Sequence, residues 1–264
     1  MPRFLVLMGS GENSPAMVTP HQNILKKFGK ESRRINLDTP YGFQENVDEM
    51  TEKIRKYFAV NVGYEIEDIN LRGPQEESAQ ALEKISAADW IFAGPGSPTY
   101  VLKTWQATGV DQQLKSLIQR GALVLASAAA MSIGAKVMPV YEMYKVGDDP
   151  FWHPGFNLLE EAIGLRAAVI AHYNNAQGGT HDTRFCFAGG KRMRVLETML
   201  DNDTGILGID EHTGISFDLE AGTFEAFGKG KVTVKKGEQV LEIEPKTNGS
   251  ISSLDFTSAN FGKM

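Results

Sequence analysis

The chain has 264 residues, 42% hydrophobic and 23% charged, with Lys+Arg 27 against Asp+Glu 33 and a net charge of −6. That length buries a sizeable core without staples, and the one cysteine, Cys186, excludes an internal disulfide and a CxxC zinc site. The basic clusters Lys26-Lys27, Arg33-Arg34 and Lys235-Lys236 are too short for a nucleic-acid stripe, and the apolar stretch 121–135 is shorter than the about 20 residues that span a bilayer.

In chain order, apolar runs at 4–8, 90–93 and 123–126 and mixed apolar-polar runs at 34–37 and 64–71 predict strands. The N-terminal run is too short for the apolar region of a signal peptide, so a soluble, cytoplasmic protein with no membrane or nucleic-acid partner is expected. Helical patterns lie between the strands at 14–28, 47–58 and 75–85. Ser14 opens the first as N-cap, with Pro15 at the first helical position. Strands alternating with helices predict an α/β fold with a doubly wound, mostly parallel sheet. Ligands of such sheets sit at the carboxyl ends of the strands, which points to 9–13, 94–99 and Ser127.

The last third is richer in β patterns. A strand at 167–171 and a helix at 191–200 precede short strands at 206–209, 214–218, 223–227, 231–234 and 240–243. Gly, Asp and Asn turns between them predict hairpins that extend one edge of the sheet. The tail from 247 to 264 is expected to be loosely held, and the whole of 1–264 to form one domain.

The most informative stretch is Leu-Val-Leu-Ala-Ser127-Ala-Ala-Ala-Met, an apolar strand that runs into a serine and then into small residues. A nucleophile at a strand-to-helix elbow needs small neighbours, because the turn is tight. The bland alternative is a small residue buried at a sheet end. A second strand end, Ala-Gly94-Pro-Gly96-Ser-Pro-Thr, has glycines that let backbone N–H groups approach a substrate oxygen. With the N–H of Ala128, that of Gly96 would hold an oxyanion.

These segments resemble the serine peptidase family of dipeptidase E (aspartyl dipeptidase) and cyanophycinase. Ala-Ser127-Ala-Ala is similar to its nucleophile elbow and Gly94-Pro-Gly96-Ser-Pro-Thr to its oxyanion loop. Gly-Ile-Asp-Glu211-His-Thr-Gly is similar to the run before its closing hairpin, and Arg192-Met-Arg-Val-Leu to a helix start. The resemblance implies a class I glutamine amidotransferase-like, flavodoxin-like fold with a C-terminal β-hairpin extension. The chain departs from the family pattern at Ala129 and Pro95. A methyl at 129 would narrow the oxyanion region or pack against the loop, and a proline at 95 removes one N–H donor.

A serine nucleophile needs a base and an orienting acid. His172 follows the strand 167–171 and matches a family histidine; His181, in the neighbouring glycine-rich insertion, is the rival. The resemblance places the acid in the loop after the elbow, where Glu142 lies in a Met/Tyr/Val-rich run, with Glu211 as the alternative. The family's leaning towards an aspartyl residue beside the cut bond calls for an arginine in the pocket, with Arg184 and Arg192 as candidates. Gly94, Arg184 and Glu211 are thus expected to meet substrate.

The reading that follows is a serine-type peptidase or hydrolase cleaving a small peptide or amide. It needs no metal and no organic cofactor, and open sheets of this kind often pair into homodimers. A glutaminase is disfavoured because the elbow residue is Ser127 rather than cysteine. A catalytically silent relative that binds a ligand or partner in the same cleft stays open, on account of Ala129 and Pro95.

Overall fold

The structure is a computed structural model and describes residues 2–73, 78–256 and 261–263. Strands β1 (Phe4–Met8), β2 (Arg34–Leu37), β3 (Glu67–Ile69), β4 (Trp90–Ala93) and β5 (Ala122–Ala126) run parallel in the order β3-β2-β4-β5-β1. Successive side chains of a strand face opposite sides, and both sides are buried. Phe4, Val6, Met8, Trp90, Phe92 and Val124 share one core with α1 (Val18–Leu25) and α2 (Val47–Lys56). Leu5, Leu7, Ile91, Leu123 and Leu125 share the other with α3 (Ser78–Ser86), α4 (Pro98–Thr108) and α5 (Val110–Ile118). The sheet is doubly wound. Each fully buried phenylalanine, such as Phe58 or Phe92, contributes about 2 kcal/mol by removal from water.

Beyond β5 come α6 (Ser127–Ser132), the short pair β6 (Lys136–Val137) and β7 (His153–Pro154), α7 (Leu158–Ile163), β8 (Ala167–Ile170) and α8 (Gly189–Thr198). Six strands close the chain: β9 (Gly205–Ile209), β10 (Thr213–Asp218), β11 (Thr223–Gly228), β12 (Val232–Lys236), β13 (Gln239–Ile243) and β14 (Asn248–Ser250). β10, β11 and β14 extend the main sheet antiparallel from β1, as a hairpin extension would.

The other late strands depart from the expectation of a single extended edge. β8, β9, β12 and β13 make a separate four-stranded sheet, with β8 and β9 parallel. Consecutive strands swap sheets: the chain leaves β9 through Asp210–His212, with His212 at φ 53°, and enters the main sheet as β10. This second sheet presents the end of β8 and the end of β9 side by side.

Several element boundaries also differ from the sequence pattern. The helix expected over 14–28 is a 3-10 turn at Pro15–Met17 followed by α1, and Ser14 makes no side-chain cap bond. The helix expected over 47–58 ends at Lys56 and widens into a π turn at Tyr57–Val62, closed by Gly63 in the left-handed region. At the sheet edge only Glu67–Ile69 of the run 64–71 pairs. The start expected at 75 for the third helix lies outside the described residues. Within the tail, β14 pairs with β11 and Leu254 is fully buried; residues 257–260 and 264 lie outside the described residues.

Candidate active site

Register decides which loops meet. Met8 pairs with Ala126 and Ala93 with Leu125, so the loops after β1 and β4 flank the residue that follows β5. That residue is Ser127, at φ 48° and 7% exposed. A left-handed φ strains any residue with a Cβ, and such strain at a strand-to-helix turn is what projects a nucleophile. Ala128, Ala129 and Ala130 behind it are fully buried, which explains the row of small side chains. Ala129 packs in the main core, and its N–H donates to the Gly94 carbonyl at 3.3 Å. Its methyl therefore fills core space and does not narrow the cavity beside the serine.

His172 follows β8, also at φ 48°, and Glu211 follows β9. The parallel pairing of these strands brings the two side chains together. His172 Nδ1 lies 3.0 Å from Glu211 Oε1, and its Nε2 lies 3.1 Å from Ser127 Oγ. A carboxylate only accepts, so Nδ1–H donates to Glu211 and Nε2 is left to accept from the hydroxyl. Asn175, fully buried, donates from Nδ2 to the same Glu211 oxygen at 3.1 Å, and Asn174 Oδ1 accepts the Glu211 backbone N–H at 2.8 Å. Hydroxyl, imidazole and carboxylate stand in line, the arrangement that activation of a serine by a base and an orienting acid requires.

Glu142, the acid expected after the elbow, does not stand there. Its neighbours Val140 and Tyr141 line the cavity beside Ser127, while Glu142 begins a π turn at Glu142–Val146 and has Oε2 buried without a partner. His181, the rival base, is exposed and stacks on Tyr144. Arg184 is bound to Asp182 through Nε at 2.9 Å and Nη2 at 2.7 Å, and lies over the Phe185 ring. Arg192 donates to the Ala188 carbonyl. Neither arginine lines the cavity.

Gly96 and Ala128 do line it, together with Ser127 and His172. Gly96 is held at φ 149°, and a Cβ there would collide with the Pro40 carbonyl. Ser97 N–H donates to that same carbonyl at 3.0 Å. The loop is thereby nested on the turn Thr39–Tyr41. Opposite it, Phe185, Cys186 and Phe187 hold three consecutive positive φ values of 60°, 52° and 68°, and the Cys186 N–H donates to the His172 carbonyl at 3.2 Å. Runs of that kind persist only where surrounding contacts impose them. Burial pushes the Cys186 thiol up to about 12, with the Glu211 charge acting in the same direction, so it stays neutral and is no rival nucleophile.

One acid lies in the strand-end turn 9–13 that the sequence pointed to without giving the residue a role. Glu12 follows β1, is 6% exposed, and its Oε1 lies 3.8 Å from the point where a Gly94 Cβ would sit. Because β5 lies between β1 and β4, this carboxylate reaches across the end of β5. Burial raises its pKa against the pull of its own backbone N–H and of His172 and His212. The signal for it is a carboxylate in a glycine turn at a strand end. Asn174 and Asn175 read as turn residues, and nothing in their spacing distinguishes a hydrogen-bonding role from turn chemistry. Among the described residues no cluster of three His, Cys, Asp or Glu side chains could hold a metal ion, and no helix is long and apolar enough to cross a membrane.

Comparisons with known proteins give the family and the fold. The model of peptidase family S51 matches residues 5–223. A crystal structure of a peptidase from an acI-B1 Actinobacterium is similar at 23% identity and a TM-score of 0.76, over 95% of this chain and 97% of that one. A candidate Peptidase E protein from Listeria monocytogenes EGD-e is similar at 14% identity and a TM-score of 0.55, over 94% of this chain and 100% of that one. At these identities the likeness is one of fold. No curated protein matches.

Proposed function

The chain belongs to peptidase family S51 and is a serine-type peptidase, and we propose that it cleaves a small peptide or amide through Ser127, His172 and Glu211. Ser127 Oγ attacks the carbonyl carbon while His172 Nε2 takes its proton. Glu211 holds Nδ1–H in place and balances the imidazolium that forms. The backbone N–H groups of Gly96 and Ala128 receive the developing oxyanion. His172 returns the proton to the leaving amine, and an acyl group stays on Ser127. Water, deprotonated by the same imidazole, then releases the acid.

The observation that carries this reading is the unbroken hydrogen-bond line from Ser127 to Glu211, 3.1 Å and 3.0 Å long. Asn175 supports it by occupying a second site on the Glu211 oxygen that receives Nδ1–H. The test is fluorophosphonate labelling read by intact mass. Labelling of the wild type that disappears in Ser127→Ala and falls sharply in His172→Ala and Glu211→Gln is expected. Labelling that survives Ser127→Ala would refute the assignment.

A further inference from the structure

We propose that the residue whose carbonyl is attacked carries a small uncharged side chain, which enters the cavity beside Ser127; this rests on the catalytic reading above. The cavity has a volume of about 50 Å³ and is walled, besides the reacting groups, by Met131, Val140, Tyr141, Cys186 and Phe187. That is room for a few water molecules or a side chain of alanine to valine size. Its walls supply no charge that would compensate a carboxylate.

Three observations point the same way. First, no Lys or Arg lines the cavity among the described residues, and Arg184, one of the two sequence candidates, is doubly bonded to Asp182. Second, the two carboxylates associated with His172 are Glu211, bonded to it, and Glu12, buried across the end of β5. Neither lines the cavity and neither offers a carboxylate a partner, so an aspartyl side chain there would lose its hydration uncompensated. Third, the wall is shaped by the left-handed run Phe185–Phe187 and by Val140, both held by the packing around them. Cys186 remains a neutral thiol and contributes only surface.

The aspartyl residue that the family resemblance implied beside the cut bond is thus disfavoured in this chain. Discrimination by a tight apolar pocket runs from about 10-fold to about 200-fold per methylene, and rejection of an unpaired charge exceeds that.

The experiment uses α-aminoalkyl phosphonate diphenyl esters with glycine, alanine, valine, leucine and aspartate side chains, and follows mass labelling of Ser127 with time. It is run on the wild type and on Phe187→Ala. We expect the alanine and valine probes to label at least about 100-fold faster than the aspartate probe. We expect Phe187→Ala to raise the leucine-to-alanine rate ratio by at least about 10-fold. An aspartate probe that matches the alanine probe overturns the inference, whatever the variant does. An unchanged leucine-to-alanine ratio in a folded Phe187→Ala overturns the assignment of this cavity. If a simple fluorophosphonate fails to label Ser127, the catalytic reading falls and the inference falls with it.

Discussion

His172 and Glu211 stand 39 residues apart in sequence, yet Nδ1 and Oε1 are 3.0 Å apart because each follows one of two paired parallel strands. Glu142, only 15 positions beyond Ser127, has no such strand to carry it to the imidazole. Exchanging carboxylate for amide should therefore separate the two. Glu211→Gln cannot hold Nδ1–H in the same way and should lower kcat between about 100-fold and about 10,000-fold. Glu142→Gln should stay within about 3-fold of wild type, as expected for a side chain outside the hydrogen-bond line. Steady-state kinetics on one amide substrate decide the matter, and equal losses in both variants would refute the assignment of Glu211.

The loop after β4 has no room for a side chain at Gly96. Its φ of 149° and the nearby Pro40 carbonyl both require glycine. Gly96→Ala should cost about 1 to 3 kcal/mol of stability and displace the donor, with kcat falling by about 100-fold or more. Gly63 gives the control: its φ is 85° but a Cβ would meet open space. Gly63→Ala should cost about 1 kcal/mol and leave kcat unchanged. Thermal melts and kinetics on both variants make the comparison, and a Gly96→Ala enzyme with normal kcat would remove Gly96 from the oxyanion role.

His21 makes stability depend on pH. It is buried against the edges of Tyr57, Phe58 and Phe92, and its Nε2–H donates to the Glu12 carbonyl at 2.9 Å. Burial depresses its pKa to about 4, partly offset by that bond. Between about 6.5 and about 4 the unfolded chain takes up a proton that the folded chain refuses. Stability is thus complete above about pH 6.5 and declines as the pH falls, by on the order of 3 kcal/mol in total. Glu12 acts in the opposite sense, since its raised pKa favours the folded state at low pH, but it is present in both proteins compared. Urea unfolding at pH 7 and pH 5 should show wild type losing about 2 kcal/mol more than His21→Gln. Parallel pH dependences would refute the buried, neutral state of His21.

The parallel half of the fold was legible because buried parallel strands are continuous apolar runs. Phe4–Met8, Trp90–Ala93 and Ala122–Ala126 carry such runs from end to end, bounded by Gly, Ser, Asp or Arg. Ser127 and His172 were legible as strand-end positions for the same reason. The second sheet was not, because β9, β12 and β13 resemble hairpin strands of any sheet, and only tertiary pairing sends them elsewhere. The place of Glu211 depends on that pairing. Family resemblance pointed to Glu142 and left Glu211 as the alternative acid, because the spacing of Glu211 from His172 carries no sign that the two side chains meet. Neither Pro98–Thr108 nor Val110–Ile118 was among the expected helices, and Gly109 alone joins them, leaving no loop to mark the second.

The strain at Ser127 predicts an inversion of the ordinary preference between alanine and glycine. Within a helix, alanine is favoured over glycine by about 1 kcal/mol. Ser127 sits at φ 48°, where a Cβ costs roughly 1 to 2 kcal/mol and glycine costs none. Both Ser127→Ala and Ser127→Gly remove the nucleophile and should be inactive. Ser127→Gly should nevertheless be the more stable of the two by about 1 kcal/mol, a Tm difference of about 2 to 4 °C for a chain of this size. The glycine variant should also exceed wild type, since activity requires the strained side chain and stability does not. Scanning calorimetry of the three proteins makes the comparison. An alanine variant that melts higher than the glycine variant would mean that Ser127 carries no backbone strain and that the elbow is held by packing alone.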